Sequence, residues 1–114
     1  MALPEITRKQ IEKTLAVYCS ERLPVYLHDE MRLGFRFRGN HVTLYKEGPA
    51  FAEPGMREES LAAQFRFNPR TKEWALFWAD RNSKWHPYEL IEPSKNFETL
   101  IKEVHEDPTG IFWS

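Results

Sequence analysis

The run MRLGFRFRGNHVTLYKE, residues 31 to 47, constrains the fold more than any other part of the chain. Met31, Leu33, Phe35 and Phe37 alternate with Arg32, Arg36 and Arg38, a period of two that puts the apolar set on one side of a strand and the arginines on the other. Gly39-Asn40 is a turn pair, so HVTLYKE reads as the returning strand of a hairpin. The stretch SLAAQFRFN repeats the pattern, with Leu61, Ala63, Phe65 and Phe67 opposite Ala62, Gln64 and Arg66. After the turn NPRTK, EWALFWAD alternates Trp74, Leu76 and Trp78 with Ala75, Phe77 and Ala79. Both faces of this strand are apolar, which predicts a central place or cover on both sides. DRNSK then predicts a turn, since Asp80 and Asn82 offer local side-chain hydrogen bonds to the backbone. WHPYEL predicts a short last strand, and Pro87, unable to donate to a ladder, puts it at a sheet edge.

Helical spacing brackets this meander. Ile6, Ile11, Leu15, Tyr18 and Arg22 predict a helix over residues 4 to 22, with Pro4 in its first turn and Leu23-Pro24 ending it. Ser94 is a credible N-cap for a second helix carrying Phe97, Leu100, Ile101 and Val104. Asp107-Pro108-Thr109-Gly110 stops it and leaves the tail IFWS, whose Phe112 and Trp113 are expected against the core or a partner chain. GPAFAEPGM, residues 48 to 56, predicts a loop. The expected fold is therefore α+β: an N-terminal helix, an antiparallel meander of about five strands and a C-terminal helix, both helices packed on one sheet face. A chain of 114 residues fits one domain, residues 1 to 114.

Composition narrows the function classes. With 41% hydrophobic and 14% aromatic residues the chain is not a disordered one, and a net charge of -1 argues against a surface wholly committed to nucleic acid or anionic lipid. The single cysteine, Cys19, cannot form an internal disulfide, favours a reducing compartment and reads as a small buried hydrophobe. No apolar run is long enough to span a bilayer and MALPEITRKQ lacks a signal-peptide centre, so a cytoplasmic protein with no membrane partner is expected.

The series GFRFRGNHVTLY, AAQFRFNPRTKEWALFWADRNSKWHPY and EDPTGIFW resembles a family of short bacterial proteins classed as a domain of unknown function, number 3024. The likeness covers nearly the whole chain, and its W-x-L-x-W-x-D-R-N-x-K-W-H-x-Y core is specific in composition and spacing. It implies a bacterial, cytoplasmic, single-domain protein and brings no catalytic residues with it. Phe77 stands where tyrosine is usual in that family and Ser114 where glycine is usual, so a chemical role of the tyrosine hydroxyl would be lost here.

Chemistry-bearing residues fall in two groups. Asp80 and His86 flank the DRNSK turn, and His41, or His105 with Asp107, could complete a nitrogen and oxygen ligand set for a metal-dependent hydrolase. A nuclease would draw on Asp80, Glu73 and Lys84. No H-x-x-x-H, H-E-x-x-H or paired-cysteine spacing supports a metal site, so no metal or cofactor is expected and binding is favoured over catalysis, with a metal-dependent hydrolase or nuclease centred on Asp80 and His86 as the alternative. The plainer reading has Asp80 and Asn82 shaping the turn, Trp85 packed, and His86 and Lys84 solvated. The second group is a sheet face. Alternation gathers Arg32, Arg36, Arg38, Thr43, Tyr45, Arg66, His86 and Tyr88 opposite the helices, with Arg81 and Lys84 at its rim. Guanidinium groups beside aromatic rings bind phosphates and stack bases. The acids lie elsewhere: residues 32 to 46 contain none, whereas Glu89, Glu92, Glu98, Glu103, Glu106 and Asp107 crowd into residues 89 to 107. The expected partner is anionic, nucleic acid before small metabolite. A protein partner or homodimer through the sheet face or the tail explains the aromatic surplus equally well.

Overall fold

Strands that alternate in the sequence pair in the order in which they occur. In a computed structural model, which describes residues 3–22, 31–49 and 55–113, β1 (Arg32–Arg38), β2 (His41–Pro49), β3 (Arg57–Asn68), β4 (Glu73–Ala79) and β5 (Trp85–Pro87) form one antiparallel sheet in the order β1-β2-β3-β4-β5. α1 (Glu5–Arg22) precedes the sheet and α2 (Phe97–Glu106) follows it.

Register fixes which side chains share a face. Phe35 and Phe37 stand opposite Leu44 and Val42, which stand opposite Ala63 and Phe65; Phe65 and Phe67 in turn oppose Leu76 and Trp74. This apolar face receives Leu15 of α1 with Leu100 and Val104 of α2, all fully buried. Phe97 closes the centre, its ring 4.8 Å from that of Phe65 and 4.9 Å from that of Trp74. Each such large side chain taken out of water contributes about 2 kcal/mol, so the alternating apolar set is what holds the helices down.

The sequence-based expectations need correction at several points. Ile6 is 70% exposed, so the buried stripe of α1 begins at Ile11 rather than in its first turn. Asn96, not Ser94, caps α2: its side chain accepts from the Glu98 amide at 3.0 Å. Ser94 instead pairs with Trp74 through two backbone hydrogen bonds, which ties the segment before α2 to the edge of β4. Gly48 and Pro49 belong to β2 rather than to a loop. The helix stop at Leu23-Pro24 lies outside the described residues.

A register shift in β3 changes a side-chain assignment. Leu44 opposes Ala63, but Tyr45 opposes Leu61, so Ala62 is an extra residue and both alanines are buried on the helix face. Leu61 therefore joins Tyr45 on the other face, against the expected alternation. At β5, Pro87 does lie on an edge strand, opposite Phe77.

The tail docks on the helix side. Asp107, in left-handed backbone at φ 42°, caps α2, and its carboxylate accepts from the amides of Phe112 and Trp113 at 3.2 and 3.0 Å. The Trp113 indole donates to the Val104 carbonyl at 2.9 Å, and Phe112 packs on Tyr88 with centroids 5.0 Å apart.

Candidate functional site

The face opposite the helices is built in rows that run across the strands. At the end next to the Gly39-Asn40 turn, Arg38, His41 and Arg66 are direct cross-strand partners. The next row holds Arg36, Thr43, Gln64, Phe77 and Pro87, and the one after it Gly34, Tyr45 and Leu61. Arg32, Glu47 and Glu59 form the far row. Alternation alone put the arginines here; pairing decides which of them meet.

Side-chain partners divide this face into two halves. Toward the far end, Arg36 is hydrogen-bonded to the Glu59 carboxylate and stands over the Tyr45 ring at 4.5 Å. Arg57 bonds the Glu47 carboxylate at 2.7 Å. The long strands β2 and β3 thus bring Glu47 and Glu59 onto the basic face, which corrects the expectation that its acids lie elsewhere. At the turn end, by contrast, no carboxylate among the described residues pairs with Arg38 or Arg66. Arg66 donates through Nε to Gln64 Oε1 at 2.6 Å, and the Gln64 amide donates to Thr43 Oγ1 at 3.0 Å. The Arg66 guanidinium lies 3.8 Å above the Phe77 ring. That contact gives the outer surface of β4 cover at Phe77. It also fixes the plane of the guanidinium, leaving its outer nitrogens for an anion.

Charge in the turn row is crowded. The His41 pKa is lowered from its ordinary value, first by burial, then by Arg66 and Arg38. Burial also lowers the Arg66 pKa, a change that leaves a guanidinium charged. His41 is the residue sequence reasoning missed on this face, where it figured only as a metal ligand. A two-residue Gly-Asn turn pins Arg38 opposite the residue that follows it, so the signal was present in the hairpin register.

His86 and Tyr88 are not on this face. Trp78 opposes His86, their rings stack at 4.6 Å, and the backbone bond from the Tyr88 amide to the Leu76 carbonyl continues that register. Both side chains therefore follow Trp78 and Leu76 to the helix side. There Tyr88 is buried and donates its hydroxyl to Glu103 of α2 at 2.6 Å; burial first, then Glu103, pushes its pKa up to about 12. Arg81 and Lys84 are exposed in the β4–β5 turn.

That turn explains Asp80. One carboxylate oxygen accepts from the amides of Asn82 and Lys84 at 2.8 and 3.0 Å, and the other meets His86 Nε2 at 2.7 Å. The bond to His86, then the two amides, hold its carboxyl below the ordinary value. His86 is thus half-buried and partnered rather than solvated. His41 lies on the opposite sheet face, Glu73 at the opposite end of β4, and His105 on α2 against Tyr18. Asp107 is committed to the tail. Among the described residues no group of three or more His, Cys, Asp or Glu side chains is placed to hold a metal ion.

These features define an α+β domain with one face given to the helices and the other bearing an ordered arginine and aromatic array. The chain belongs to the family described as Domain of unknown function (DUF3024), which residues 3–114 match. No curated protein and no solved structure matches it.

Proposed function

We propose that the protein is a non-catalytic binding module for an anionic partner, nucleic acid before small metabolite, working in a bacterial cytoplasm. The observation that carries this reading is the turn end of the outer face, where Arg38 and Arg66 flank His41 without a carboxylate partner among the described residues. Guanidinium groups offer bidentate contacts to phosphate oxygens, and Arg66, already held by Gln64 and Phe77, does so at little ordering cost. The rings on this face are roofed by guanidinium groups, Tyr45 by Arg36 and Phe77 by Arg66. A base would therefore stack on an arginine plane rather than on a bare ring, and backbone contact dominates. Of the residues expected to bind, Arg38 and Arg66 are central, Arg36 and Tyr45 supporting, and Arg81 and Lys84 peripheral.

The test is salt dependence with a fluorescent single-stranded oligonucleotide. Affinity should fall steeply as salt rises, and Arg38→Ala with Arg66→Ala should flatten the log-log slope by about 1.4 units, one phosphate contact per arginine. Circular dichroism would confirm that the double variant keeps its fold. No binding to single-stranded or duplex oligonucleotides at low salt would sink the nucleic-acid reading.

A further inference from the structure

Three cationic or titratable side chains in direct cross-strand register are costly unless something compensates them. Neighbouring strands lie about 4.8 Å apart, so the β-carbons of Arg38, His41 and Arg66 are successive neighbours along one transverse line. Two of them carry permanent charge. The third, His41, is only partly exposed and sits between them. The described groups bearing on it are Arg66 from β3 and Arg38 from β1, both positive. Along its own strand the next residue on that face is Thr43, and Arg36 beyond it is taken by Glu59. Glu73 stands on β4 opposite Asn68, two strands away from His41. Both helices pack on the other face; the start of α1 meets the turn through the Leu3 amide on the Gly39 carbonyl, and the acid of its first turn, Glu5, is paired with Lys9.

We propose that this row is a proton-coupled seat for a phosphodiester, in which Arg38 and Arg66 hold the anion and His41 takes up a proton as the anion binds. This rests on the reading above, that the outer face receives the phosphate backbone, and adds how that seat is regulated. Without the anion, partial burial and then the flanking positive charges disfavour the imidazolium. An anion seated across the row cancels the repulsion, so the imidazole protonates and donates a third charge-assisted hydrogen bond. Linkage makes the effect reciprocal: if the anion favours the imidazolium, acid favours the anion. Affinity therefore rises as pH falls through the range in which histidine titrates, while a phosphodiester keeps its single charge throughout.

Oligothymidylate is a suitable probe, because neither its diesters nor its bases titrate between about pH 5 and 8, the range of the histidine switch. Binding is measured by anisotropy at fixed low salt at the two ends of that range. The native protein should bind at least about fivefold tighter at the acid end. In His41→Gln that ratio should collapse, whatever the absolute affinity. A second readout needs no variant: the NMR titration of the His41 ring should move to higher pH when oligothymidylate is added. Equal affinity of the native protein at both ends, an unaltered ratio in His41→Gln, or a ring titration that ignores the oligonucleotide overturns the proton coupling. Each of those results leaves the salt-dependent reading of the face standing. Absence of binding at both ends overturns both.

Discussion

Gly34 shows how closely single residues are fitted on the outer face. It stands directly across from Tyr45, and a methyl group in its place would lie 2.5 Å from the tyrosine ring and hydroxyl. An aromatic ring laid over a glycine of an edge strand restores packing that the glycine lacks. The same ring carries the Arg36 guanidinium, which Glu59 holds from the next strand pair. Gly34→Ala therefore displaces the ring and separates it from Arg36. A loss of about 1 to 3 kcal/mol in urea unfolding is expected, the usual cost of forcing a side chain out of a filled place. Unchanged stability would mean that Tyr45 finds an equally good position elsewhere. Because Arg38 and Arg66 lie in a different row, the salt slope of oligonucleotide binding should survive this change.

The β4–β5 hairpin shows the same economy across an element. Asp80 closes the turn through two backbone amides and holds His86 with its second oxygen, while Ser83 adopts φ 62° to let the chain reverse. Because its carboxyl is held below the ordinary value, Asp80 stabilises the fold above about pH 4, and that contribution is lost as pH falls through the folded value. Asp80→Asn should thus lower the urea midpoint at neutral pH, and the gap to the native protein should close in acid. A gap that persists unchanged well below the carboxylate range would show that charge plays no part in the turn. This hairpin also marks the limit of what was legible in the sequence. The strands and the arginine face followed from period-two alternation, whereas the order of the strands in the sheet is set by pairing, which alternation does not encode. Across DRNSK the pairing depends on which carboxylate and amide meet, and a shift of one residue sends every side chain to the other face. His86 and Tyr88 were misplaced for that reason. Leu61 was misplaced for a related one: an inserted alanine beside another alanine leaves no break in an apolar pattern. The ion pairs of Arg36 and Arg57 were hidden because they join residues 23 and 10 positions apart through that same bulged ladder.

In the molecule as a whole, the helix face and the outer face respond to opposite ends of the pH scale. The outer face carries His41, whose pKa is lowered, first by burial, and the helix side carries two groups whose values are raised. Cys19 packs at the margin of the core, where burial pushes its thiol up to about 11. Tyr88, under Phe112 and bonded to Glu103, is pushed up to about 12. Both values lie above those of the unfolded chain, about 8.5 for cysteine and about 10 for tyrosine. The unfolded chain therefore loses these protons first, and the stability that the neutral groups contribute is present below the unfolded values and drains away as pH rises through the folded ones. Urea midpoints should hold to about pH 8 and decline above it, early through Cys19 and later through Tyr88. Cys19→Ala should delay the onset. Tyr88→Phe should spare the later part while lowering stability at neutral pH, because Glu103 then loses its donor. A native midpoint that stays level beyond about pH 10 would mean that these groups are exposed in solution, and with them the seam where α2 and the C-terminal tail close over the sheet.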